Sequence, residues 1–328
     1  MDTIDTATGA RAHRGFNAMF RRDRVTLGVF FPIEAFQGSS PTMANQVELA
    51  QRAQALGFDA LWFRDVPLLD PGFGDIGQIY DPWVYLGYIA AYTSRIALAT
   101  GSIVLPLRHP LHVAKAAASV DVLSGGRLVL GVATGDRPVE FPAFQQPFET
   151  RDEAFRESVA VLREAWTQRF PEIRSSRVRL SGTDLVPKPL FGSVPLLVTG
   201  RARQSLDWIA RHADGWVNYP RSPDIQAAMM REWREAQRSA LGHSEKPFAQ
   251  SLYIDLAEDA DCPPTPIHLG YRLGEKQLTA LLLRFGQAGV SHVALNLKYS
   301  RRPAGDVLEQ LGARVLPVIR EHRLSTQP

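Results

Sequence analysis

Residues 124–137 read Ser-Gly-Gly-Arg-Leu-Val-Leu-Gly-Val-Ala-Thr-Gly-Asp-Arg, and the architecture of the whole chain can be inferred outward from them. The apolar run at 128–133 does not alternate with polar residues, which is typical of a strand covered on both faces of a parallel sheet. The glycines at 125 and 126 indicate that a helix ends just before this strand. The polar residues at 134–137 predict a loop at its carboxyl end, where parallel sheets place their ligands.

The same order of helix, apolar strand and polar loop recurs on both sides of this stretch. Seven further apolar runs predict strands at residues 25–31, 60–63, 96–105, 194–198, 216–219, 250–256 and 293–297. One of the helices between them is predicted to begin at Ser40-Pro41, because serine caps helices and proline is favoured at the first helical position. Eight strands alternating with helices favour a closed (β/α)8 TIM barrel over an open doubly wound sheet. Insertions are expected at 66–80, 136–149, 170–193 and 257–276.

The composition is that of a globular protein, since 45% of the 328 residues are apolar and 22% are charged. We interpret residues 1–24 as an N-terminal extension and residues 25–328 as a single barrel domain. No nucleic-acid partner is expected, because the net charge is only +3 and the arginines are scattered. No membrane span is expected, since no apolar run reaches about 18 residues. The single cysteine, Cys262, excludes an internal disulfide and fits a cytoplasmic location.

Several common catalytic motifs are absent from the sequence. There is no Gly-x-Ser-x-Gly elbow and no phosphate-binding loop of the nucleoside triphosphatases. No metal site is expected, because His109 and His112 are the only closely spaced histidines and no carboxylate lies beside them at ligand spacing. A barrel without these features is predicted to take its chemistry from an organic cofactor.

The residues that would hold such a cofactor follow the predicted strands, at the end of the barrel where TIM-barrel active sites lie. Gly101, Gly135 and Gly200 have no Cβ and would let a flat ring or a phosphate approach the backbone. The segment from Gly200 to Ser205 reads Gly-Arg-Ala-Arg-Gln-Ser and combines backbone N–H groups with guanidinium donors. It predicts a phosphate site; the alternative is a capped helix with two solvated arginines.

Two titratable residues are candidates for proton transfer. Asp65 follows the second predicted strand, although it could equally be a structural carboxylate paired with its neighbour Arg64. His109 precedes a predicted helix and could instead fix the loop before it. Bulky residues predicted to line the pocket are Phe31, Trp62, Phe73, Tyr80 and Tyr219.

Several motifs taken together are similar to those of the bacterial luciferase-like flavin-dependent monooxygenases. They are Gly57–Trp62, Ile103–Pro106 with His109-Pro110, Ser124–Leu128 with Gly131 and Gly135, and Trp208–Trp216. The resemblance runs from about Val25 to Tyr219. It implies a (β/α)8 barrel that binds reduced FMN, or the deazaflavin F420 in related enzymes, at its C-terminal mouth.

The resemblance also implies roles for individual residues. Gly101–Ser102 would be the non-proline cis peptide that family members place against the isoalloxazine ring. Thr134 and Gly135, with Arg201, Ala202 and Ser205, match the positions that hold the FMN phosphate. The full set expected to bind the cofactor is Gly101, Ser102, Thr134, Gly135, Arg137, Thr199, Gly200, Arg201, Ala202 and Ser205.

The sequence departs from that of the luciferases themselves at three positions. Asp65 stands where luciferases have a histidine, and Ala133 where they have a cysteine near the ring. Thr134 stands where luciferases have an arginine for the phosphate, which leaves Arg137, Arg201 or Arg203 to supply the charge. Both FMN and F420 therefore remain open as cofactors.

The resulting hypothesis is an FMN-dependent monooxygenase that uses reduced flavin and dioxygen on a small organic substrate. Asp65 and His109 would handle protons, and a separate NAD(P)H-dependent flavin reductase would supply the reduced cofactor. The family resemblance also implies a homodimer. The alternatives are an F420-dependent dehydrogenase or reductase, and a flavin-binding protein without turnover.

Overall fold

A computed structural model of the chain describes residues 13–73, 76–242 and 245–323. The strands are β1 Thr26–Phe30, β2 Ala60–Phe63, β3 Ala97–Thr100, β4 Ile103–Val104, β5 Leu128–Ala133, β6 Ile173–Arg174, β7 Arg179–Leu180, β8 Leu196–Thr199, β9 Gly215–Asn218, β10 Phe248–Leu256, β11 Thr265–Ile267, β12 Gly270–Leu273 and β13 His292–Asn296. Parallel pairing runs in the order β1, β2, β3, β5, β8, β9, β10 and β13. The barrel closes where β13 pairs with β1, with His292 opposite Thr26. The predicted TIM barrel is confirmed.

The helices within the described residues are α1 Arg14–Met19, α2 Gln46–Leu56, α3 Pro82–Tyr92, α4 Pro110–Ser124, α5 Glu140–Ala143, α6 Arg151–Thr167, α7 Leu206–His212, α8 Pro223–Leu241, α9 Glu275–Ala288, α10 Ala304–Gln310 and α11 Leu316–Glu321. A π-turn at Leu311–Val315 joins α10 to α11. None of these helices is long and apolar enough to cross a membrane. The hairpin of β6 and β7 and that of β11 and β12 lie in the predicted insertions at 170–193 and 257–276.

Alternate residues of each strand divide the core into two layers, because successive side chains of a strand point to opposite faces. Side chains such as Leu61 and Phe63 face the surrounding helices and belong to the large outer core. Side chains such as Phe30 and Trp62 face inward, where Phe16 and Met19 of α1 join them. The amide of Gly15 donates to the carbonyl of Gly126 just before β5, which places α1 at the amino-terminal end of the barrel.

The segment predicted as one strand at 96–105 is interrupted. It divides into β3 and β4 at the Gly101–Ser102 peptide, which is cis. Gly131 of β5 accommodates the interruption, since a Cβ at this position would lie 1.9 Å from the carbonyl oxygen of Thr100. The hydroxyl of Thr100 donates to the carbonyl of Gly131 at 2.8 Å and fixes the two strands together.

The helix predicted to begin at Ser40-Pro41 begins instead at Gln46. Two side-chain contacts hold the preceding segment out of a helical conformation. The carboxylate of Glu34 accepts from the amide of Thr42 at 2.6 Å, and Gln46 Oε1 accepts from the amide of Ile33 at 2.7 Å. Tertiary contacts to the loop after β1 therefore override the local capping pattern.

Candidate functional site

The floor of the barrel mouth is built from an aromatic layer beneath the cis peptide. A Cβ added at Gly101 would lie 3.0 Å from Trp62 Cε3 and 3.1 Å from Phe30 Cε1. These distances are tighter than ordinary van der Waals contacts, so a side chain here would have to displace the rings. The glycine therefore keeps the backbone close to the aromatic layer, and the cis bond implied by the resemblance is confirmed.

Two hydroxyl groups meet above this floor. Ser102 Oγ and Thr199 Oγ1 form a hydrogen bond, which brings together predicted residues from strands on either side of β5. Thr134 is buried, and Gly135 has a φ of 84°. A Cβ at Gly135 would lie 2.8 Å from Val104 Cγ1, so only glycine combines this backbone conformation with the close approach to β4.

The turn after β8 has an unusual backbone conformation. Gly200, Ala202 and Arg203 have positive φ values of 59°, 45° and 56°. Non-glycine residues rarely adopt this region, and two in succession cost free energy that the surrounding structure must offset. Such strain concentrates at ligand sites, which accords with the prediction of a phosphate site here.

The side-chain contacts of two residues in this turn do not fit the predicted phosphate site. Arg201 Nη2 donates to Glu232 Oε2 of α8 at 3.2 Å, in a pair that is more than half exposed. Ser205 caps α7, where its Oγ accepts from the amide of Trp208 at 3.1 Å. Both residues line a groove of about 860 Å³ between α7 and α8. The structure thus places Arg201 toward the outside of the barrel, as in the alternative of a capped helix with a solvated arginine.

Arg137 is the most buried of the three arginines predicted to supply charge to the site. Its side chain is buried, and its guanidinium carbon lies 4.7 Å from the centre of the Phe73 ring. This cation–π contact joins the loop after β5 to the loop after β2. Arg137 thus places a buried positive charge two residues after Gly135.

Asp65 is almost fully buried and makes an extended set of contacts. Its carboxylate accepts from Arg108 Nε and Nη2 at 2.9 and 2.8 Å and from the amide of Val104 at 3.0 Å. Burial by itself would lower the pKa of Arg108, but the hydrogen bonds and charge of Asp65 outweigh it and raise that pKa. The structural alternative for Asp65 named the wrong partner, because the ion pair is formed with Arg108 and not with Arg64. The contacts fix β4 and the turn that follows it.

His109 lies at the N-terminal end of α4, as the residue before its first turn. It is exposed, and its ring centre lies 5.7 Å from that of His112. Burial of part of the ring and the neighbouring charges of His112 and Arg177 lower the pKa of His109. Arg177, from the hairpin of β6 and β7, donates to the carbonyls of Pro106 and Arg108. These contacts do not bring His109 together with Asp65 or Ser102.

The residues predicted to line the pocket lie in three different environments. Phe31 faces the outer core, where its ring centre lies 4.9 Å from Phe63 and 5.0 Å from Tyr85. The prediction for Phe31 is therefore wrong, because Phe31, directly after β1, continues the odd-numbered positions that face the helices. Trp62 lies inside the barrel beneath Gly101, and Phe73, Tyr80 and Tyr219 are exposed.

Sequence reasoning missed one titratable residue near the mouth. Glu140 is buried at the start of α5, and its Oε1 has no hydrogen-bond partner. Burial raises the pKa of Glu140 to about 7; Arg137 opposes the shift, whereas Asp65 and Asp136 add to it. No spacing or motif marks this glutamate, which lies in a predicted insertion.

A second missed residue lies below the aromatic floor. Trp62 Nε1 donates to His292 Nε2 at 3.0 Å, and His292 Nδ1 lies 2.7 Å from Thr26 Oγ1. The hydroxyl of Thr26 in turn donates to the carbonyl of Met19 in α1. Since His292 accepts from Trp62, its proton lies on Nδ1 and the ring is neutral. Burial lowers the pKa of His292 to about 3.

The sequence matches the luciferase-like monooxygenase family over residues 25–261, and the chain belongs to this family. An uncharacterised protein of Mycobacterium tuberculosis is 37% identical over 166 residues, which cover 49% of this chain and 58% of that protein. The F420-dependent hydroxymycolic acid dehydrogenase of the same organism is 30% identical over 190 residues, covering 55% of this chain and 50% of the dehydrogenase. The chain thus matches between half and three-fifths of the length of these curated relatives.

Among solved structures, the monooxygenase RslO1 from Streptomyces bottropensis has a similar fold. The TM-score is 0.74 at 19% sequence identity, over 89% of this chain and 99% of the other. At this identity the similarity concerns the fold alone. Within the described residues, no group of three or more histidine, cysteine, aspartate or glutamate side chains could hold a metal ion.

Proposed function

We propose that this protein is an oxidoreductase that binds reduced FMN at the carboxyl mouth of the barrel and uses dioxygen to oxidise a small organic substrate. The observation that carries the proposal is the floor at Gly101, where the backbone lies against Trp62 and Phe30 with no room for a side chain. A flat ring could lie on the bare backbone at Gly101, on the side away from these two rings, because the glycine has no Cβ in the way. When bound, the reduced flavin would supply electrons for the reaction with dioxygen.

The residues of the chain would contribute binding and orientation. Ser102 and Thr199 carry hydroxyls at the floor, and either can turn its hydrogen bond from the other toward a ring heteroatom. The buried guanidinium of Arg137 would supply positive charge to hold an anionic ring or a phosphate. Asp65 would act as a positioning residue, since all its contacts hold β4 and the following turn in place.

An F420-dependent dehydrogenase or reductase is the second candidate function. The observation that favours it is the 30% identity to the mycobacterial F420-dependent dehydrogenase. The two cofactors can be compared by fluorescence titration of the purified protein with FMN and with F420. Tighter binding of F420 would contradict the first proposal.

Oxygen consumption separates turnover from simple flavin binding. The protein is supplied with reduced FMN, either from a separate NAD(P)H-dependent flavin reductase or after chemical reduction, and with a panel of small organic substrates. Substrate-dependent oxygen uptake is expected from both sources of reduced flavin. Uptake that does not change with any substrate would favour a flavin-binding protein without turnover.

The phosphate site at 200–205 is tested by the double substitution of Arg201→Ala with Ser205→Ala. If the phosphate binds here, Arg201 must turn from Glu232 toward it, and the double variant is expected to lose affinity for FMN on the order of tenfold because a charged and a neutral hydrogen-bond donor are both removed. Arg238→Ala is the matched control, since Arg238 lines the same groove but is not part of the proposed site. Unchanged FMN affinity in the double variant would show that the phosphate does not bind at 200–205, and a position near Arg137 would be tested next.

We also propose a cytoplasmic homodimer, and one helix face supports the dimer. Val84, Tyr88 and Tyr92 of α3 follow each other at four-residue spacing, and all are exposed. This spacing places them on one stripe of the helix, and a contiguous apolar stripe is typical of an interaction surface. Tyr88→Glu is expected to convert a dimer into a monomer, as measured by light scattering after size-exclusion chromatography. Val318→Glu, which alters an exposed apolar residue of α11, is the control; identical masses for both variants would contradict this interface.

A further inference from the structure

A cavity of about 340 Å³ lies on the flank of the barrel mouth, between the loops that follow β2 and β4. This volume lies within the range of pockets that bind small molecules. Its apolar walls are formed by side chains that include Ile79, Tyr80, Leu107 and Phe144, and charged side chains line the remainder. Three of these side chains are exposed: Phe144 at 38%, Ile79 at 45% and Tyr80 at 50% of their surface. An apolar molecule in the cavity would remove this surface from water.

The charged side of the cavity carries an excess of negative charge. It contains two carboxylates, Asp65 and Asp81, and one guanidinium, Arg108. The guanidinium is engaged on both sides, since Nη2 donates to Asp65 Oδ1 at 2.8 Å and to Asp81 Oδ2 at 3.1 Å. Asp65 is shielded, whereas the side chain of Asp81 is 42% exposed. A ligand would therefore meet the carboxylate of Asp81.

The helix end at this cavity does not offer an anion site. The first N–H groups of α3 would ordinarily attract an anion. Asp81 already binds them, because its Oδ1 accepts from the amides of Trp83 and Val84 at 2.9 and 3.2 Å. The amide of Tyr85 donates to the carbonyl of Asp81. These amides are therefore not available to an anionic ligand, which the carboxylate of Asp81 would also repel.

We propose that this cavity binds a small amphipathic cation, with its apolar or aromatic body against Tyr80 and Phe144 and its ammonium group at Asp81. Apolar walls combined with a small number of polar or charged groups are the usual composition of a specific small-molecule site. The proposal does not depend on the flavin or F420 chemistry, because it concerns binding to the protein without cofactor.

The test compares three probes of similar shape: 2-phenylethylammonium, 2-phenylethanol and 3-phenylpropionate. Titration calorimetry with the full chain, without added cofactor, is expected to give saturable binding of the ammonium probe. The alcohol is expected to bind more weakly and the carboxylate most weakly. Absence of saturable ammonium binding, or tighter binding of the carboxylate, would overturn the proposal.

Two variants locate the site. Asp81→Asn keeps an efficient helix cap but removes the charge, so the ammonium probe is expected to lose affinity on the order of tenfold while the alcohol changes little. Phe144→Ala is expected to weaken both probes, and Phe170→Ala, an exposed phenylalanine outside the cavity, neither. An unchanged preference for ammonium in Asp81→Asn, or equal effects of the two phenylalanine variants, would refute the assignment. These binding experiments use the protein without cofactor, so their outcome does not depend on whether the protein is an oxidoreductase.

Discussion

Replacing Asp65 with alanine is expected to lower the free energy of unfolding by about 3 kcal/mol, because the mostly buried guanidinium of Arg108 loses its shielded partner and keeps only the more exposed carboxylate of Asp81. The side chain of Asp65 is only 2% exposed and that of Arg108 25%. The substitution would also leave the amide of Val104 without its acceptor. Chemical denaturation followed by circular dichroism measures the loss.

Two further variants separate the contributions to this loss. Asp65→Asn retains a hydrogen-bond acceptor without the charge, and an intermediate loss of stability is expected. In the double variant Asp65→Ala with Arg108→Ala, the buried charge disappears together with its partner. The loss of unfolding free energy in the double variant is therefore expected to be smaller than the sum of the losses in the two single variants. A double-mutant cycle measures this difference.

An exposed ion pair provides the control for Asp65. Lys276 Nζ lies 2.7 Å from Asp261 Oδ2, but both side chains are more than 60% exposed. Asp261→Ala is expected to cost less than about 1 kcal/mol, since water replaces an exposed partner. If Asp65→Ala were as mild as this control yet abolished turnover, Asp65 would act on the reacting atoms and not as a positioning residue.

The sequence was sufficient to predict the barrel because local patterns carry that information. The strands at Ala60–Phe63 and Leu128–Ala133 have the predicted bounds, since continuous apolar runs are expected where both faces of a strand are covered. The break in the run at 96–105 depends on the peptide at Gly101, whose cis form only the family resemblance implied. The helix at Gln46 shows that capping signals fail where a tertiary contact competes.

The contacts of the site could not be predicted in the same way. Asp65 and Arg108 are 43 residues apart, and no periodicity relates them. Nothing in the local sequence distinguishes Arg108 from Arg64 as the partner, because the choice depends on how the turn after β4 folds back toward β2. Likewise, Arg201 is near the predicted phosphate position in sequence, but its direction is determined by Glu232 on the neighbouring helix α8.

Acidification is expected to destabilise the protein through His292. Its pKa is about 3 in the folded protein and about 6.5 in an unfolded chain, so the unfolded state takes up the proton first. The stability that depends on the neutral ring is therefore complete above pH 6.5 and is lost as the pH falls toward 3. Between pH 7 and pH 5 the loss is expected to be about 2 kcal/mol, since one pKa unit corresponds to about 1.4 kcal/mol.

His292→Asn isolates this effect. The variant is expected to be less stable at pH 7, because the hydrogen bonds to Trp62 and Thr26 are altered. Its disadvantage relative to the natural protein should shrink by about 2 kcal/mol at pH 5, since asparagine does not titrate. Unfolding in denaturant at each pH gives the two curves.

Glu140 gives a comparison of opposite sign. Because burial raises its pKa to about 7, the folded state retains the proton longer than the unfolded state, and the stability from the neutral acid is lost as the pH rises toward 7. As the pH rises from 5 to 8, Glu140→Gln is therefore expected to become more stable relative to the natural protein. His292→Asn is expected to become less stable relative to the natural protein as the pH rises from 5 to 7. If the gap between His292→Asn and the natural protein were constant with pH, the ring beneath the aromatic floor would be titrating normally, and the hydrogen bond from Trp62 could not be holding it neutral.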